Sequence, residues 1–323
     1  MAEVIISTHG ASFADIVAIA RDGAKVVISE ESLTAMQKSR DHVEALAASD
    51  TPVYGISTGF GALANRHVST DLRTQLQRSL IRSHAAGVGA PVEVEVVRAL
   101  MALRLKTLSS GRTGVRPIVA QTMAAILNAG ITPLVREFGS LGCSGDLAPL
   151  AHCALVLMGE GEAVDRDGVA KPVAQLLKEA GIEPVQLAEK EGLALINGTD
   201  GMLGMLILAI HDLRNLVDSA DVVAAMSVEG LLGTDRVFIP ELHTPLRSHP
   251  GQATSAARML ATLAGSGIVA SHLHNDDRVQ DAYSLRCAPQ VAGAVRDTIE
   301  YAATVAEREL SAVIDNPVVL EDG

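Results

Sequence analysis

Several short stretches of this sequence carry residues able to do chemistry. The first is Cys143-Ser144-Gly145-Asp146, inside EFGSLGCSGDLAPLAH (137–152). Ser and Asp beside glycines, just ahead of a helical pattern, read as a helix-entry turn with capping residues. A nucleophilic Ser or Cys is the competing reading, because a helix N-terminus lowers a thiol pKa. The G-x-S-x-G nucleophile elbow does not fit, since Ser144 has a Gly on one side only and no strand pattern precedes it. The second stretch is VYGISTGFG (53–61), where glycines around Tyr54 mark either a flexible loop or a sharp turn that holds a phenol in a pocket. The third is SHAAGVG (83–89), with His84 following a helical pattern, a place where a lone His is as readily structural as functional. The fourth is INGTDG (196–201): Asn-Gly ordinarily marks a turn, yet Asn197 falls between two apolar helical patterns, where its amide could enter a cleft.

The fifth stretch, SHLHNDDRVQDAYSLRCAPQ (271–290), contains two candidate groups. His272, His274, Asp276 and Asp277 have the H-x-H-x-D spacing of metal-dependent hydrolases. Such ligand loops normally follow a strand and this one is flanked by helical patterns, so no metal site is expected. Gln280, Tyr283 and Arg286 fall at i, i+3 and i+6, which predicts one face of a helix. An Arg there would clamp a carboxylate by a bidentate pair, or else sit in a surface ion pair.

These residues need elements to position them. Periodicity predicts helices over 12–21, 31–48, 71–84, 91–109 and 118–129, the fourth with Pro91 in its first turn, and one short strand at AKVVIS (24–29). A helix beginning at Pro149, with Asp146 in its cap region, is apolar nearly all round through 150–158 and is expected to be buried. Residues 159–172 read as a surface hairpin, 171–180 and 186–195 as helices, and 202–228 as a long buried helix. An extended loop is expected over 233–251, with helices again from 252 and over 289–313.

Bulk properties narrow the class. The 323 residues are 48% hydrophobic but only 2% aromatic, with no Trp, so the core must be built from Ala, Leu, Val, Ile and Met. That composition suits long packed helices, which predicts a mainly α chain with a small α+β N-terminal portion. The net charge of −12, with no basic cluster interleaved with aromatics, argues against nucleic acid as a partner. The N-terminal MAEVIISTHG lacks a basic run, and the most apolar stretch, 201–233, carries Asp212, Arg214, Asp218 and Asp221. Neither a signal peptide nor a membrane span is therefore expected. Three cysteines without a CxxC pattern predict no disulfide framework, and a cytoplasmic location follows.

Taken together, YGISTGFG, SHAAGVG, GSLGCSGDLAPLAH, LALINGTDG, VQDAYSLRCAPQ and SAVIDNP stand in an order that resembles the aromatic amino acid ammonia-lyases, and within them the histidine ammonia-lyases. The resemblance covers essentially the whole chain. It implies a long-helix bundle of the ammonia-lyase and fumarase-like type, with residues 1–200 as an N-terminal domain carrying an electrophile loop and 201–323 as the first part of the central bundle. It also implies that Cys143-Ser144-Gly145 cyclises without an external cofactor. The Gly145 nitrogen attacks the Cys143 carbonyl, Ser144 loses its hydroxyl, and the product is 4-methylidene-imidazol-5-one, with Asp146 assisting. By the same resemblance Tyr54 is the base for the substrate β-proton, and Tyr283 and Gln280 line the site and orient the electrophile. Arg286 would hold the substrate carboxylate with Asn197 nearby, and His84 would contact the side chain. The His84-Ala85 pair implies room for an imidazole, hence L-histidine going to trans-urocanate and ammonia. A tyrosine ammonia-lyase or an aminomutase with the same electrophile is the alternative.

Some positions depart from the family pattern. Cys143 stands where Ala is commonest, Ser57 where histidine lyases often have Asn, and Asp200 where Gln is usual. The family's chains continue past the position corresponding to Gly323. The resemblance also implies a homotetramer whose active sites are assembled from several subunits, and the expectation is that activity needs a complementary C-terminal polypeptide. The other expectation is a non-catalytic assembly fragment.

Overall fold

A computed structural model describes residues 2–49, 51–142 and 145–323. Cys143 and Ser144 thus lie outside the described residues. Packing divides the chain into two units, Met1–Leu208 with Ala306–Gly323, and Ala209–Val305.

The first unit opens with β1 (Glu3–Ile6), α1 (Phe13–Arg21), β2 (Lys25–Ile28) and α2 (Glu30–Ala48), the two strands pairing in parallel. A capping box starts α1: the Ser12 hydroxyl accepts the Asp15 N–H while the Asp15 carboxylate accepts the Ser12 N–H. Next come α3 (Thr70–His84), β3 (Val88–Pro91), α4 (Val94–Leu108), α5 (Pro117–Ala129), β4 (Thr132–Pro133), β5 (Arg136–Phe138) and α6 (Leu147–Leu157). They are followed by β6 (Glu162–Val164), β7 (Ala170–Pro172), α7 (Val173–Ala180), α8 (Glu191–Ile196) and the start of α9 (Asp200–Gly230). The core lies along α4, which is buried at every position from Val97 to Leu108, and along the inner faces of α5 and α6. The hairpin expected over 159–172 is the β6–β7 pair, extended by β4 to a three-stranded antiparallel sheet.

Three local expectations are corrected. The helix predicted from Pro91 starts at Val94, because Pro91 is the last residue of β3 and pairs with Arg136 of β5. That same β5 precedes the Ser144 loop, where no strand was expected. The helix predicted over 186–195 is reduced to α8, whose entry at Lys190 takes a φ of 67°. Here Glu191 turns back to accept the Ala188 N–H at 2.7 Å, so residues 186–190 close a turn instead of a helix.

The second unit holds α9 from residue 209, α10 (Pro250–Leu263), α11 (Gly267–Ser271), α12 (Tyr283–Arg286) and α13 (Ala288–Ser311) up to residue 305. Its core gathers Ala225, Val228, Phe238, Met259, Leu263 and Val269. Arg296 on α13 donates to Asp218 and Asp221 of α9 and to Ser255 of α10, tying three helices through one guanidinium. On α9, Leu216, Val223 and Met226 form an exposed apolar stripe at seven- and three-residue spacing. The run Glu191–Gly230 has the length and hydropathy to cross a membrane, but 67% of its most apolar window is buried inside the protein, as in a core helix.

Candidate active site

The β3–β5 ladder leads directly into the loop that carries the tripeptide. Leu141 and Gly145 exchange backbone hydrogen bonds, Gly145 N–H to Leu141 O at 2.8 Å and Leu141 N–H to Gly145 O at 3.2 Å. These bonds form an isolated antiparallel bridge between Leu141 and Gly145. Gly145 has a φ of 116°, and a Cβ there would lie 2.9 Å from the Gly198 carbonyl oxygen. Only glycine fits so close an approach in that conformation.

Asp146 was expected near a helix cap. It occupies the N-cap position of α6, which begins at Leu147, but its side chain makes no capping bond. The carboxylate is buried and instead accepts from the Ser140 hydroxyl and, at 3.0 Å, from the Met202 N–H. Its own N–H donates to Gly198 O at 2.7 Å. Asp146 therefore joins the Ser140–Gly145 loop to the Asn197–Met202 turn, a role that a local cap reading misses.

That turn rests on a buried ion pair. Arg104 of α4 has no exposed surface, and it donates twice to the Asp200 carboxylate, once at 3.0 Å and once closer. Its remaining N–H groups reach Ala194 O at 3.0 Å, Asn197 O at 3.3 Å and Ile314 O at 3.4 Å. Burial pushes the Asp200 carboxyl up, and Arg104 pulls it back down. Asp200, one of the departures from the family pattern, is thus a structural anchor beneath the turn. The Asn197 amide donates to Asn316 O at 2.7 Å, and Lys190 pairs with Asp315 at 2.7 Å with neither side chain exposed. The IDNP segment is clamped from both ends of α8. A sequence signal for buried cations was present: Arg98, Arg104 and Lys106 stand among apolar residues in the fully buried stretch 97–108 of α4, and Arg104 is the one that joins this network.

His84 ends α3 and is half-buried. Its Nδ1 lies 2.9 Å from Leu80 O, a carbonyl that only accepts, so Nδ1 carries the proton and Nε2 is left to meet a ligand. Tyr54 sits in a turn closed by Ser57, whose hydroxyl accepts the Val53 N–H at 2.9 Å. Its phenol oxygen accepts the Gly61 N–H at 3.4 Å, and its ring meets Phe60 edge-on, with centroids 6.3 Å apart. Tyr54, His84, Asp146 and Asn197 all belong to the first unit.

Gln280, Tyr283 and Arg286 belong to the second unit, and the single helix face expected for them does not form. The helix there is only Tyr283–Arg286, with Gln280 in the segment before it. Asp281 is drawn away to accept the Thr234 N–H at 2.7 Å, which holds the chain out of helical conformation ahead of Ala282. Arg286 and Tyr283 remain neighbours, the guanidinium 5.2 Å from the ring centroid. Arg286 makes no ion pair among the described residues, and its buried Nε has no hydrogen-bond partner there. The surface ion pair weighed as an alternative is therefore not what this Arg does.

Among the described residues no three His, Cys, Asp or Glu side chains converge as a metal site. His272 faces the carbonyls of Ile268 and Gly233 at 2.9 and 3.2 Å. Asp276 is bound by Arg278, which holds its carboxyl down at about 2. Of that spacing, His272 thus faces backbone carbonyls and Asp276 pairs with Arg278.

The chain is 64% identical over its whole length to a histidine ammonia-lyase of Streptomyces coelicolor, of which it spans 63%. Among solved structures it superposes on the tyrosine aminomutase of Streptomyces globisporus with a TM-score of 0.92 at 39% identity, covering 99% of this chain and 64% of that one. It superposes on the histidine ammonia-lyase of Trypanosoma cruzi with a TM-score of 0.88 at 35% identity, covering 99% and 59%. The family model described as aromatic amino acid lyase matches residues 11–323, and the chain belongs to that family.

Proposed function

We propose that this chain is the larger part of a histidine ammonia-lyase that converts L-histidine to trans-urocanate and ammonia in the cytoplasm. The observation that carries the reading is the junction of Gly145, Asp146 and Gly198, together with the 64% identity to a protein of that name. The residues present fit a cyclised Cys143-Ser144-Gly145. Gly145 is pressed against a carbonyl with no space for a side chain, and the buried Asp146 carboxylate is aligned by Ser140 and Met202. When formed, 4-methylidene-imidazol-5-one supplies an electrophile that turns the substrate's amine into a competent leaving group.

The chain's own residues do the rest. Arg286, which makes no ion pair among the described residues, would bind the substrate carboxylate through two parallel N–H bonds. Tyr54 takes the β-proton as the Cα–N bond breaks, so the C–H electron pair becomes the new double bond. His84, protonated at Nδ1, presents Nε2 to the N–H of the substrate imidazole. Gln280 and Tyr283 are assigned as site-lining residues and Asn197 as a substrate-binding residue, as the resemblance implies. A homotetramer would cover the Leu216–Val223–Met226 stripe, and a further C-terminal polypeptide would complete the bundle. A tyrosine-specific lyase or aminomutase is the second reading, favoured by the structural match to a tyrosine aminomutase.

The test is chemical. Intact mass should fall short of the sequence mass by two waters, and, with the C-terminal part supplied, urocanate should form faster than coumarate or cinnamate from the corresponding amino acids. A full sequence mass would remove the electrophile and with it the lyase reading.

A further inference from the structure

The long glycine-rich motif ends at His152, on α6, to which the proposed chemistry assigns no role. Its Nε2 accepts the Gly87 N–H at 3.2 Å. Gly87 lies just beyond His84, across a turn in which the Ala85 N–H donates to Ile81 O at 3.0 Å and the Ala86 N–H to His84 O at 2.8 Å. A Cβ on Gly87 would meet His152 Nε2 at 3.1 Å and Arg136 Cβ at 3.2 Å, so backbone and imidazole are in direct contact. After Gly87 the chain enters β3, which pairs with β5, and β5 runs into the electrophile loop. At Gly139 that loop comes back to the same point: a Cβ there would lie 3.3 Å from Gly87 Cα and 3.0 Å from Ala148 Cβ on α6. The turn bearing His84 and the loop leading to Gly145 therefore meet at Gly87, where His152 of α6 also bonds.

We propose that His152 is a positioning residue, an acceptor on α6 that fixes the turn of residues 84–87, and with it the His84 ring, relative to the strand and loop that lead to Gly145. Accepting from Gly87 requires an unprotonated Nε2, hence the Nδ1–H form of the ring. Burial and then the nearby Arg136 lower the His152 pKa, which keeps that form in place. The proposal rests on the role of His84 given above.

The experiment compares the full chain with its His152→Gln and His152→Phe variants. Gln keeps an acceptor oxygen, whereas Phe keeps the ring without one. Hydrogen exchange of the peptide 84–90 should accelerate by about fivefold in His152→Phe and stay near wild type in His152→Gln. The two-water mass deficit should persist in both. In the complemented enzyme the KM for histidine should rise by about fivefold in His152→Phe with a smaller change in kcat, and Gln should restore it. Unchanged exchange in His152→Phe overturns the proposal, as does faster exchange with an unchanged KM. Should His152→Phe fail to fold, His152→Leu takes its place. A wild-type protein that forms no urocanate overturns the lyase reading separately, because the exchange measurement still decides the bond between His152 and Gly87.

Discussion

Changing Asp200 to Asn tests whether the Arg104–Asp200 pair holds the turn beside the Gly145 loop in place. The substitution keeps the shape of the side chain and removes its charge. Arg104 then stays buried with a full positive charge facing an amide and three carbonyls, those of Ala194, Asn197 and Ile314. Removing one partner of a buried pair costs ~3–5 kcal/mol. Against a total of ~5–15 kcal/mol for a domain, that is a large fraction. Because burial already opposes the charge on Asp200, replacing both residues with apolar ones, Arg104→Met with Asp200→Leu, should cost less than the two single changes added together. Urea unfolding of the wild type, Asp200→Asn, Arg104→Met, Asp200→Leu and the double variant, followed by circular dichroism, gives the five free energies. The slopes must be compared first, because two packing units can unfold in separate steps. A cost below about 1 kcal/mol for Asp200→Asn, or strict additivity in the double, would refute the reasoning.

Other outcomes follow from the same geometry. Lys106 is buried against the carbonyls of Glu309 and Ala312, and burial lowers it from 10.5 to about 8. Between those values the unfolded chain holds a proton that the folded one lacks. Stability should therefore rise with pH from about 8 to 10.5, by at most ~1.4 kcal/mol per pH unit, and this increment should vanish in Lys106→Met, as read from urea midpoints. Gly145→Ala places a methyl 2.9 Å from Gly198 O at a φ of 116°, so the two-water mass deficit and the near-ultraviolet absorbance should both disappear. Arg286→Lys keeps the charge and loses the planar fork; KM for the amino acid should rise ~10–100-fold in steady-state assays, well beyond the change in kcat.

Much of this molecule is legible in one dimension. The capping box at Ser12, the apolar period of α9 and the Gly stop of α5 act over a single turn of helix, so local spacing identifies them. The ordered blocks around Tyr54, His84, Gly145, Asn197 and Arg286 likewise identify the family, because reactive and conformationally demanding residues leave distinctive strings. The errors came where a distant partner outcompeted a local preference. Pro91 went to a strand because Arg136 was there to pair with it. Asp146 gave up its cap for Ser140 and Met202, and Asp281 pulled Gln280 off a helix face by binding Thr234.

Above all, the residues that hold the site were invisible as partners. Arg104 and Asp200 are 96 positions apart, Lys190 and Asp315 are 125, and Gly87 and His152 are 65. Composition shows that α4 must bury cations, but not which carboxylates or carbonyls receive them. A buried charge is tolerable only opposite a specific group at bonding distance. Where that group lies is decided by the packing of whole helices, which is why the sequence identifies the chemistry and only the tertiary structure decides what holds it in register.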